Sequence, residues 1–121
     1  MYDLLDRPVD DLPVFERAVL GAMRRWVHAL TLAGTVPAAE GKGAFDAAMR
    51  ALDAGSSDEL LIHRPCHSTV GEVEAVILGM WRLVRADRLG PARAAAERLL
   101  TIDHAGHLVT AMARVSALGH P

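Results

Sequence analysis

The chain predicts an all-α, single-domain bundle of about five helices, with a short extended segment before the central helix. Three observations predict it. Apolar residues recur at helical spacing in successive stretches, each bounded by Gly, Pro, Ser, Thr or Asp. Half of the 121 residues are hydrophobic, yet only five are aromatic, so the core must be built from Ala, Leu, Val and Met, which suits close-packed helices. No internal repeat, low-complexity run or second domain interrupts the pattern, and a chain of this length buries roughly two thirds of its unfolded surface as one unit.

Residues 1–11 form an acidic arm, with Asp3, Asp6, Asp10, Asp11 and a proline at Pro8. An aspartate N-cap and Pro13 in the first turn open the first long helix. Its apolar stripe is Phe15, Val19, Ala22, Trp26, Leu30 and Ala33, widened by Ala18, Met23 and Val27. Arg17, Arg24, Arg25 and His28 take another face, and Gly34 stops the helix. Residues 35–43 read as a loop. The Gly41-Lys42-Gly43 fragment lacks the G-x-x-x-x-G-K-[ST] spacing of a phosphate loop. A shorter helix over 44–54 buries Phe45, Ala48, Met49 and Leu52, and Gly55 closes it.

Residues 60–65 read as an extended approach, because Pro65 cannot sit inside a helix and biases Arg64 away from one. Thr69 and Glu72 have the spacing of a capping box, with Ser68 as a competing cap. The central helix then runs over 70–86. Val73, Val76, Ile77, Met80, Trp81, Leu83 and Val84 fall at helical spacing, and Glu74 is the lone charge between Val73 and Trp81. A helix apolar over most of its circumference is buried among others. Gly79 is expected to let a neighbour approach. Residues 87–90 make a tight link, and Pro91 restarts a helix with Ala92, Ala95, Ala96, Leu99 and Leu100 apolar. Thr101 or Asp103 caps the last helix, whose stripe is Leu108, Met112, Val115 and Leu118.

A net charge of −2 offers no field to draw nucleic acid or anionic lipid. No stretch qualifies as a membrane span, and the acidic start has no apolar core of a signal peptide. The lone Cys66 excludes an internal disulfide and fits a reducing cytoplasm. Twelve arginines against one lysine, with abundant alanine, fit a GC-rich bacterial genome.

Chemistry gathers around residues 63–74. His63, Cys66 and His67 stand together, and His104 with His107 lie one turn apart on the last helix. Cys and His are zinc ligands, so His63, Cys66, His104 and His107 are the candidate metal set if the two helix starts meet. A reactive thiol is the alternative. Cys66 precedes a helix N-terminus beside Arg64, with His63 or His67 as base. A third reading places an anion on the N–H groups of residues 69–72 with Arg64, against the charges of Glu72 and Glu74. Arg82, Arg85 and Arg88, followed by Arg93 and Arg98, suit an acidic protein partner better than nucleic acid, having no interleaved aromatics. Trp26 and Trp81 fit the core, with a subunit interface as the alternative.

The segment 61–74 (Leu-Ile-His-Arg-Pro-Cys-His-Ser-Thr-Val-Gly-Glu-Val-Glu) resembles a recurrent feature of small all-helical bacterial proteins: an apolar extended run, a Pro/Cys turn, then a helix with an early acidic residue. The likeness covers about half the chain and implies a cytoplasmic bacterial helical domain. It implies no activity. The leading expectation is a cytoplasmic interaction or regulatory module, a homodimer or a partner's adaptor, with Trp26, Trp81, Arg82, Arg85 and Arg88 at the interface. It is expected to be a binding protein rather than an enzyme. The competing class is a zinc-binding protein.

Overall fold

A computed structural model describes residues 5–33, 43–55, 62–63 and 67–118. Among them are five α-helices, α1 (Val14–Ala33), α2 (Gly43–Gly55), α3 (Glu72–Arg85), α4 (Leu89–Glu97) and α5 (Ile102–Leu118), and no strand. The all-α bundle expected from periodicity is what forms. None of these helices is long and apolar enough to cross a membrane.

Helix α3 is the hub. It packs against α1, α4 and α5, while α2 lies along α5 in the most extensive pairing. Ala75, Ile77, Leu78, Gly79, Met80, Trp81 and Val84 of α3 are all buried. They meet Phe15, Val19, Leu20, Met23 and Trp26 from α1, Ala48, Met49 and Leu52 from α2, and Leu108, Met112 and Val115 from α5 in one core. Burying each larger side chain contributes ~1.5–3 kcal/mol. Trp81 anchors it, 1 % exposed, with Phe15 edge-on at 6.1 Å and Phe45 stacked at 6.2 Å between ring centres.

The observed chain departs from expectation in several places. The buried face of α1 takes in Leu20 and Arg24, while Ala18 is exposed. Leu118, the last residue of α5, is exposed too. Gly55 does close α2, but as its last helical residue and a buried one. A side chain there would collide with the His104 Cβ, so its bareness lets α2 and α5 approach. Its carbonyl also accepts the Thr101 N–H at 3.2 Å. Asp87 supplies the left-handed residue (φ 61°) that turns α3 into α4, a conformation aspartate tolerates.

Within the arm, residues 5–11 are ordered against the rest of the chain. Residues 9–11 form a single 3-10 turn. Just before it, residues 6–9 run antiparallel to 68–70, bridged at Pro8 and Thr69. Asp6 N–H donates to the Val70 carbonyl, Val70 N–H to the Arg7 carbonyl and Val9 N–H to the Ser68 carbonyl, each at 2.9 Å. Thr69 is therefore held extended and cannot cap α3. Gly71 takes the N-cap, and Glu74 rather than Glu72 reaches back to its N–H at 2.9 Å.

Candidate functional site

The extended segment 67–70 is held from its other side by Arg24, a charge that periodicity sets off the apolar stripe of α1. Arg24 is 1 % exposed and Glu74 0 %. The guanidinium engages the carboxylate in a two-pronged pair, Nε to Oε2 and Nη2 to Oε1, both 2.8 Å. Its remaining reach goes to backbone: Nη1 donates to the His67 carbonyl at 2.6 Å and Nη2 to the Thr69 carbonyl at 2.8 Å. Glu74 in turn accepts the His63 N–H at 3.0 Å and the Gly71 N–H. Each carboxylate oxygen thus takes two donors. Burial pushes this carboxyl upward, but the Arg24 hydrogen bonds lead a set of opposing effects that hold it below its usual 4.5. A buried ion pair persists only when its spare donors and acceptors are satisfied, as they are here.

Two histidines sit on this clamp. The rings of His63 and His67 stack at 3.9 Å, tilted by 21°. His67 Nε2 lies 3.3 Å from the Thr69 hydroxyl. His63 presses on Gly71, where a Cβ would fall 2.6 Å from Nε2. Beside them Arg24, Val27, His28, Thr31, Leu32, Ile62 and His63 line an open pocket of about 440 Å³. The Thr31 hydroxyl donates to the Val27 carbonyl at 2.8 Å, so it is spent on its own helix. The pocket offers an apolar wall, two imidazoles and the edge of a satisfied guanidinium.

The predicted metal set divides. His63 joins His67, whereas His104 meets His107 edge-on at 6.3 Å and its Nδ1 lies 2.7 Å from the Thr101 hydroxyl. Cys66, with Arg64 and Pro65, lies outside the described residues, so the thiol reading falls there too. Among the described residues no three His, Cys, Asp or Glu side chains gather to hold a metal. Of the proposed anion-binding amides, Val70 N–H is taken by Arg7 and Gly71 N–H by Glu74.

The proposed interface residues separate as well. Trp26, 3 % exposed, donates its indole N–H to buried Asp46 at 3.0 Å, and that carboxylate also accepts from Arg50 at 2.7 Å. Both tryptophans are core, the reading their apolar stripes favoured; neither presents an aromatic face at the surface. Trp81 Nε1 finds no acceptor among the described residues. Arg82 and Arg85 flank Glu16 at 3.8 and 4.0 Å, and Arg85 lies 3.9 Å over the Phe15 ring. Arg88 is exposed at the start of α4.

The Arg24–Glu74 pair was missed, yet it left a trace. A lone carboxylate inside an apolar helix needs a cation, because an unpaired charge is almost never fully buried. No protein-family model matches the chain, and no curated protein or solved structure matches it either. The fold and this site define it as a single-domain helical bundle with a charged structural clamp at one end.

Proposed function

We propose that this chain is a small protein-interaction module that self-associates, using the open pocket on the C-terminal half of α1. One observation carries the reading. Leu32 is 73 % exposed and stands on the lip of a hollow walled by Val27 and Ile62. An apolar knob beside a hollow with an apolar wall on one surface is self-complementary: a two-fold related copy would place its Leu32 against Val27 and Ile62 and receive the other in return. The ionic groups nearby support a binding role, since Arg24 and Glu74 spend their hydrogen bonds on each other and on backbone. His28 and His63 then supply a polar rim.

Size-exclusion chromatography with light scattering tests it. A dimer is expected at micromolar concentration, and Leu32→Glu should weaken it by at least about tenfold, because it removes the apolar knob and puts in its place a charge that must be desolvated against Val27 and Ile62. A wild-type chain that stays monomeric at high micromolar concentration overturns the reading. So does a dimer indifferent to Leu32→Glu.

A further inference from the structure

The extended segment 67–70 has two edges, and they are held by different means. Successive carbonyls along an extended chain point to opposite sides. Those of His67 and Thr69 go to Arg24. Those of Ser68 and Val70, with the Val70 N–H, go to the arm. A buried guanidinium therefore does on one side what a neighbouring strand would do. The Val70 side chain is itself fully buried. Segment 67–70 thus has anchors other than the arm.

The arm's hold is of another kind. Among the described residues, the three hydrogen bonds that join 6–9 to 68–70 are backbone to backbone. Leu5, Asp6 and Pro8 are exposed, and Arg7 and Val9 are half-buried. Asp6 adopts φ 59°, a left-handed conformation it need not keep once released. Pro8, which has no N–H, falls where the pairing asks for no donor. Full burial of the chain resumes at Leu12.

We propose that the 68–70 edge is an acceptor for an extended peptide, occupied in cis by residues 5–9 and open in trans to the same segment of a second copy. Recognition is by strand addition: main-chain hydrogen bonds supply the affinity, and the occupant is the arm for which this edge already has matched donors and acceptors. Exchange between copies conserves every hydrogen bond, so it costs little beyond the entropy of association. The cis arm competes at an effective concentration in the millimolar range, which keeps the edge covered in the isolated chain. This proposal is independent of the α1 pocket.

The test uses the full-length chain in the Leu32→Glu background, so that any dimer through the pocket does not contribute. The probe is a fluorescent synthetic peptide of residues 1–11. Val9→Pro removes the donor to Ser68 with little backbone strain, because Val9 begins the 3-10 turn and Pro8 already has the ψ of 135° that a following proline requires. The Val9→Pro chain should bind the peptide about tenfold more tightly than the chain with its native arm, reflecting one backbone hydrogen bond. A peptide carrying the same substitution should bind about tenfold more weakly. In NMR spectra the amide of Val70 should shift on titration. Asp6→Pro, incompatible with φ 59°, provides a second released arm should Val9→Pro fail to fold. No saturable binding to either released chain at about 1 mM peptide overturns the proposal. Binding that leaves the Val70 amide unmoved overturns it as well.

Discussion

Replacing Arg24 by methionine isolates what the buried clamp does. The substitution keeps an unbranched apolar stem and deletes the guanidinium. Two charge-assisted hydrogen bonds to Glu74 are lost, each worth ~1.5–3 kcal/mol, and the carboxylate stays sealed at 0 % exposure. Loss of one partner of such a pair costs ~3–5 kcal/mol. For a chain of this length that is a fall in Tm of roughly 10–20 °C. Urea unfolding followed by Trp26 and Trp81 fluorescence measures it. The pH dependence gives a sharper test, because its sign should reverse. In the native chain the Glu74 carboxyl is held below its usual 4.5, so its contribution is complete above that value and drains away as pH falls below it. Without Arg24, burial dominates and the folded state prefers the protonated acid. Stability is then greatest under acid and declines as pH rises above 4.5, where the unfolded carboxyl ionises. Adding Glu74→Gln removes the buried charge and keeps an acceptor for one of the His63 and Gly71 N–H groups, which meet different carboxylate oxygens, so it should flatten this slope and restore about 1 kcal/mol at neutral pH. A methionine variant within ~1 kcal/mol of the parent would refute the reasoning. So would one that keeps the parent's acid limb.

Other outcomes follow from the same packing. Gly71→Ala puts a Cβ 2.6 Å from His63 Nε2, so it should cost ~1–3 kcal/mol in chemical denaturation and separate the stacked His63 and His67 resonances in NMR spectra. The two tryptophans should answer differently to phenylalanine. Trp81→Phe removes an indole N–H that has no acceptor among the described residues and should cost less than Trp26→Phe, which strands a buried acceptor on Asp46 at ~1–3 kcal/mol; thermal melts of the two variants compare them.

Much of the architecture was legible because it rests on local chemistry. The apolar repeat of 73–84 announced a buried helix, and that helix is the hub of the bundle. Pro13, Pro91 and Thr101 marked helix starts, each within a residue or two of where the helices begin. Periodicity also foretold that Trp26 and Trp81 would be core. These features depend on neighbours three or four residues away, which a sequence displays directly.

The site depended on partners far apart in the chain. Arg24 and Glu74 are fifty residues apart, and a charge on an amphipathic helix is assigned to solvent until its counter-charge is known. The Thr69 capping signal was sound on its own terms. Three backbone bonds from residues 6–9 and two from Arg24 outweighed it, and α3 starts at Glu72 after Gly71. The His63–His67 and His104–His107 pairs form within short stretches of chain, and each follows from nearness in sequence. Helical propensity, apolar spacing and turn chemistry thus specified the elements, since they act over a single turn of backbone. The docking of the arm, the burial of an arginine and the choice of cap were set by long-range hydrogen bonds, whose energies exist only once distant segments meet.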